Sequence, residues 1–152
     1  MTDLKPILLV EDSPKDIELT LAALEQCQLA NKVIVVRDGA EALDYLYARV
    51  AFAGRNTADP AVVLLDLKLP KVDGLEVLEI IKKDPNLRHT PVVMLTSSRE
   101  EQDLVRSYSL GVNAFVVKPV GFEQFFEAIR DLGMFWAVLN EPPPPFVTAD
   151  RE

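Results

Sequence analysis

Five short apolar runs recur along the chain: "PILLV" (6–10), "KVIVV" (32–36), "AVVLL" (61–65), "PVVML" (91–95) and "NAFVV" (113–117). Their Val, Ile and Leu content marks strands, and near-continuous hydrophobicity marks a parallel sheet covered on both faces. Amphipathic stretches separate them. Ile17, Leu21 and Leu24 share one face of a first helix, and Ala42, Leu43 and Leu46 mark a second. Leu75, Leu78 and Ile81 mark a third, and Leu104, Val105 and Tyr108 a fourth. Ser13 before Pro14 reads as an N-cap with proline in the first turn, and Gly111 sits where the fourth helix should stop. Residues 48–60, "ARVAFAGRNTADP", read as an exposed connection. Five strand–helix units predict a doubly wound α/β domain, with one parallel sheet between two helical layers.

In such a sheet, functional sites lie at the carboxyl ends of the strands. The first strand ends at Glu11 and Asp12, the third at Asp66, the fourth at Thr96 and Ser97, and the fifth at Lys118. In the flavodoxin-like order 2-1-3-4-5 the first and third strands are neighbours, so Glu11, Asp12 and Asp66 converge. Carboxylates this close repel unless some protonate or a cation binds, and a hard divalent ion such as Mg²⁺ suits oxygen ligands. Lys118 adds a positive charge and Thr96 a hydroxyl. Each alone is more commonly a solvated, capping or surface residue. Together they form a site able to neutralise a transferring phosphoryl group.

"ILLVEDSPKD", "VVLLDLKLPKVDGLEVL", "PVVMLTSS" and "AFVVKPV" resemble the receiver domain of two-component response regulators, over about residues 5 to 132. The resemblance implies that Asp66 accepts a phosphoryl group from a histidine kinase. Glu11, Asp12, Asp66 and the backbone carbonyl of Lys68 would hold Mg²⁺. Lys118 would pair with the phosphoryl oxygens and Thr96 would bond them through its hydroxyl. Phe115 falls at the family's switch aromatic, and Lys118–Pro119 at its cis peptide. Phosphorylation would then bias a two-state arrangement of the fourth helix, fifth strand and fifth helix. Phenylalanine in place of the commoner tyrosine leaves that switch to packing alone. The expected product is the protein's own aspartyl phosphate, which makes the chain a phosphoacceptor rather than an ordinary enzyme.

Beyond a receiver spanning 1–140 with an extended last helix, a Pro-rich arm (141–152) leaves no room for an output domain. Phe122, Phe125, Phe126, Ile129, Leu132, Trp136 and Leu139 form one apolar stripe, while Met134, Phe135 and Val138 point elsewhere. An interface through Phe122, Phe126, Met134, Phe135, Trp136 and Val138 is inferred, most simply in a homodimer; the alternative is a tail that folds back over it. "EPPPPF" (141–146) leaves the helix as a stiff polyproline II arm. The long 48–60 connection and the "FEQFFEAI…FW" ending are similar to single-domain regulators of phytochrome-type kinases, which implies a bilin-binding photoreceptor kinase as donor. His89 precedes the fourth strand and reads as exposed and structural; Cys27 reads as inert packing.

Net charge narrows the partners. At −8 the chain lacks the clustered Lys and Arg that nucleic acid demands. No apolar run approaches the roughly 18 residues of a membrane span, and "MTDLKP" carries no signal-peptide pattern. With one cysteine, a cytoplasmic protein is expected. The rivals are a chemotaxis-type or other non-phytochrome regulator and a haloacid-dehalogenase-like phosphatase. The phosphatase wants a second Asp two residues after the first, where this chain has Lys68. A pseudo-receiver and a flavodoxin are disfavoured, by the complete residue set and by carboxylates where a phosphate-cradling loop would lie.

Overall fold

The computed structural model describes residues 5–27, 31–55, 59–112 and 114–132. Five strands, β1 (Ile7–Val10), β2 (Val33–Val36), β3 (Val62–Asp66), β4 (Val92–Thr96) and β5 (Ala114–Val117), alternate with five helices. These are α1 (Pro14–Gln26), α2 (Gly39–Leu46), α3 (Gly74–Lys83), α4 (Arg99–Ser107) and α5 (Phe122–Leu132). The sheet is parallel throughout, in the order β2-β1-β3-β4-β5. The flavodoxin-like expectation holds.

The strands are offset by one residue from the apolar runs, and the offset matters. Pro6 and Pro91 lack a donor and stand before β1 and β4, where their carbonyls accept from Ala61 and Val63. At the other end β3 and β4 continue into Asp66 and Thr96. Asp66 pairs with Leu95, and the Lys118 N–H donates to the Thr96 carbonyl at 2.8 Å. These polar residues therefore belong to the sheet and not to the loops after it.

Alternate residues of the central strands feed two cores. Ile7, Leu9, Leu64 and Leu95 meet Leu24, Phe125 and Ile129 of α1 and α5. Leu8, Leu65 and Met94 meet Leu43, Leu78 and Val105 of α2, α3 and α4. On α1 the buried side is Thr20, Ala23 and Leu24, with Ile17 half-buried, while Leu21 is 36% exposed. Leu21 was expected inside; it lies about 90° round from the centre of that stripe, and Thr20 takes its place. On α4 only Val105 is buried, and Leu104 and Tyr108 are each 47% exposed. That helix also ends before Gly111: Tyr108 caps it and Ser109 takes a positive φ of 53°. Within the 48–60 connection Arg55 is tied back to α2: it lies over the Tyr45 ring and donates to the Tyr45 and Leu46 carbonyls. Both lie in the last turn of α2, where the Tyr45 carbonyl also accepts from the Ala48 N–H at 3.1 Å.

Two glycines fix the loop after β3. A Cβ on Gly74 would stand 2.0 Å from the Asp66 carbonyl oxygen, and one on Gly39 1.8 Å from the Val72 carbonyl oxygen. Their N–H groups donate to the Leu67 and Pro70 carbonyls. The starts of α2 and α3 can clamp residues 67–73 only because both positions lack a side chain. Gly74→Ala is therefore expected to cost about 1–3 kcal/mol, read as a lower urea midpoint at an unchanged slope.

Candidate functional site

The apolar sheet delivers polar groups to one rim. Glu11 follows β1 directly, with its N–H on the Val36 carbonyl at 3.0 Å and its side chain fully buried. Asp12 is exposed beside it. Asp66 is buried at the end of β3, and Thr96 at the end of β4. Lys118 follows β5, and its peptide bond to Pro119 is cis. Carboxylate oxygens of Glu11, Asp12 and Asp66 lie within 4.8 Å of one another. The Lys118 Nζ stands 3.3 Å from Glu11 Oε1, 3.2 Å from Asp66 Oδ2 and 3.2 Å from Asp16 Oδ2. Glu11, Asp12, Asp66 and Lys118, four of the residues expected at the strand ends, thus meet in one place, and Thr96 ends β4 on the same rim.

Electrostatics there are unbalanced in a telling direction. Burial first, and the neighbouring Asp66 charge second, push Glu11 up to about 7, against the pull of the Ser13 N–H and of Lys118. Asp66 is also raised, by burial, although Lys118 and Glu11 draw it down. Lys118 is lowered by burial, but Asp66, Glu11 and Asp16 more than offset this and leave it raised. One ammonium does not neutralise the acids, so both carboxyls of the pair are held above the ordinary range. An all-oxygen donor set of this kind fits a divalent cation, which would hold every carboxyl ionised. Thr96 Oγ1 is buried with no hydrogen-bond partner among the described residues. An unpaired buried hydroxyl costs roughly 1–3 kcal/mol, a cost that an acceptor arriving at the rim would remove.

Other expected residues divide. Lys68 turns its ammonium to Glu101 at 3.4 Å and takes no part in the cluster's ion pairs. Phe115 is half-buried against the α3–α4 core, with the Arg106 guanidinium 4.5 Å from its ring centroid. That cation–π contact ties β5 to α4 in addition to the packing expected of Phe115. Phe122 is 38% exposed and stacks on the half-buried Phe126, ring centroids 5.8 Å apart. Met134, Phe135, Trp136 and Val138, and the arm from 141, lie outside the described residues. His89 is exposed at the opposite end of β4, as expected. Cys27 is half-buried, its thiol donating to the Ala23 carbonyl at 3.5 Å.

Sequence reasoning missed Asp16, Gly74, Glu101 and Arg106. Asp16 and Glu101 carried a signal, since each stands three residues after a serine N-cap, but that spacing reads first as ordinary capping.

This fold and this rim are those of a signal-receiver domain. The chain matches the response regulator receiver domain family over residues 7–130, and it belongs to that family. Members of the family are signalling proteins. Among solved structures, the bacteriophytochrome response regulator AtBRR is 73% identical, with a TM-score of 0.87, covering 92% of this chain and 100% of that one. The bacteriophytochrome response regulator RtBRR is 66% identical, TM-score 0.85, over 97% and 89%. Response regulator Rcp1 of Synechocystis sp. (strain ATCC 27184 / PCC 6803 / Kazusa) is 39% identical over 87% of this chain and 88% of its own. Its Mn(2+)-bound form has a TM-score of 0.70 at 38% identity, over 93% and 99%. No helix among the described residues is long and apolar enough to cross a membrane.

A carboxyl raised in the fold keeps a proton that the unfolded chain has already lost. The metal-free fold therefore loses stability as pH rises from 4.5 towards about 7. In calorimetry the Tm of metal-free protein should fall across that interval, and a saturating divalent cation should abolish the fall. Glu11→Gln, which removes the raised carboxyl but keeps its volume, should lift the metal-free Tm at pH 7 by about 4 °C.

Proposed function

We propose that the protein is a phosphoacceptor switch in which Asp66 takes a phosphoryl group from a histidine kinase. The observation that carries this is Asp66 itself, buried at the end of β3, 3.2 Å from Lys118 and on the same rim as the unpartnered Thr96 hydroxyl. An Asp66 oxygen attacks phosphorus, the P–N bond to the kinase histidine breaks with its electron pair going to the ring, and the aspartyl phosphate remains. The β3–β4 ladder fixes the nucleophile's direction, Lys118 faces the phosphoryl oxygens, and the Thr96 hydroxyl donates to one of them. Glu11, Asp12, Asp66 and the Lys68 carbonyl would hold Mg²⁺, which would supply charge neutralisation at the phosphoryl group. The Mn(2+)-bound form of Rcp1 supports a divalent ion, and the hardness of the oxygen donors favours Mg²⁺. Self-catalysed hydrolysis later returns Asp66. Phosphoryl binding draws on Thr96, and Phe115 and its Arg106 contact relay the change to α4.

The donor we assign is a phytochrome-type photoreceptor kinase, on the strength of the likeness to two bacteriophytochrome response regulators. Such signalling is cytoplasmic. The receiver extends over 1–140 with the arm 141–152 beyond it, and the last helix and arm mediate a homodimer. Support comes from Phe122, exposed and stacked on the half-buried Phe126 at the start of an apolar stripe that the sequence continues to Leu139. A phosphatase of the haloacid-dehalogenase type is not supported, since Lys68 stands where its general acid would be and pairs with Glu101.

With Mg²⁺ and acetyl phosphate, purified protein should gain one acid-stable, base-labile phosphoryl group, seen by intact-protein mass spectrometry. Asp66→Asn should gain none, and Thr96→Ala should gain it about tenfold more slowly. Uptake by Asp66→Asn at the wild-type rate would show that the acceptor lies elsewhere.

Light scattering at micromolar concentration should give a dimer, and Phe122→Glu with Phe126→Glu should give a folded monomer. A wild-type monomer, with or without phosphorylation, rules the interface out.

A further inference from the structure

The Lys118 ammonium has three carboxylates within ion-pair distance. Two of these, Glu11 at 3.3 Å and Asp66 at 3.2 Å, belong to the cluster that suits a divalent cation. The third, Asp16 at 3.2 Å, does not. It comes from another element, the first turn of α1, where its own N–H is fixed on the Ser13 cap at 3.3 Å. A cation on the cluster competes with Lys118 for Glu11 and Asp66, and phosphorylation converts the Asp66 carboxylate into an acyl phosphate. Asp16 is the one carboxylate partner of Lys118 that neither event consumes.

What the ammonium would do without it is set by the space beside it. A cavity of about 320 Å³ opens there, lined by Lys15, Asp16, Leu19, Ser97, Lys118 and Pro119. The Lys118 side chain is only 16% exposed, yet this cavity gives its flexible stem room to leave the rim. Lys15, in the same cavity, adds a second positive charge that would otherwise share the acids.

We infer that Asp16 is a positioning residue for the phosphoryl transfer: it tethers the Lys118 ammonium from the α1 side, so that the lysine faces the phosphoryl oxygens when Glu11 and Asp66 are engaged. The inference rests on the assignment of Asp66 as acceptor and adds a residue to that site. Asp16 touches neither phosphorus nor metal and acts only through Lys118.

Phosphorylation by saturating acetyl phosphate tests it without involving a kinase surface. Asp16→Ala should lower the maximal rate about tenfold, while the Mg²⁺ affinity measured by calorimetry stays within about twofold. Asp16→Glu should recover most of the rate. In a Lys118→Ala background the same Asp16→Ala change should have no further effect. Independently of any phosphoryl donor, NMR should show the Lys118 ammonium protons exchanging faster with water in Asp16→Ala than in the wild type. A wild-type rate in Asp16→Ala, an equal loss in the Lys118→Ala background, or unchanged proton exchange would each overturn the inference. Wild-type protein that takes up no phosphoryl group, with faster exchange still present in the variant, would instead locate the failure in the assignment of Asp66.

Discussion

A carboxylate at the end of a fully apolar strand is the constraint around which the rest of the molecule is arranged. Val62 to Leu65 are completely buried, so β3 cannot shift its register without exposing or clashing its core. Asp66 is the last residue of that strand and pairs with Leu95 of β4, and the next N–H, of Leu67, donates to the Leu95 carbonyl at 3.2 Å. The backbone that carries the carboxylate is thus set by long-range pairing and not by the loop after it. The energy for this comes from two hydrophobic cores, one on each face, and it is spent where the rim crowds like charges.

The same rigidity explains how a change at Asp66 can be felt elsewhere. The β3–α3 loop is closed between two glycine-permitted helix starts, and Lys68 reaches from it to Glu101 of α4. Glu101 also accepts from the Ser97 N–H at 2.7 Å, while its own N–H donates to the Ser98 cap at 3.3 Å. One side chain therefore joins the end of β4, the loop after β3 and the start of α4. At the other end of α4, Arg106 lies on the Phe115 ring of β5. Helix α4 itself is weakly rooted, with Val105 as its one buried residue, so polar and cation–π ties carry much of its placement. Such ties are worth little individually and can be exchanged without breaking a core, which is what the proposed switch would require of this helix.

Strand-end chemistry was legible because it rests on two robust regularities: apolar runs mark buried parallel strands, and sites in such sheets fall at their carboxyl ends. Glu11, Asp12, Asp66, Thr96 and Lys118 followed from position alone, and the sheet order put them together. Helix faces were less legible. Leu21 and Leu104 are apolar at helical spacing yet exposed, because the choice among neighbouring stripes is made by the sheet a helix packs on, and a single helix does not contain that information. The roles of Gly74 and Asp16 were hidden for another reason. A glycine that lets backbones approach and an acid that reaches a lysine 102 residues away both depend on partners brought near only by the fold.

Those two hidden residues bear on the same carboxylate, one through the backbone and one through Lys118. Gly74 lets α3 press against the Asp66 carbonyl, while Asp16 pairs with the ammonium that stands 3.2 Å from the Asp66 carboxylate. Neither needs to touch phosphorus to matter, since in a loose phosphoryl transfer little covalent assistance is required and most of the barrier is met by position and charge. On that basis the apolar interior and the polar rim are one device. The cores hold the ends of β1, β3, β4 and β5 in place, and this allows three carboxylates and one ammonium to stay close enough together for a single added phosphoryl group to change the balance among them.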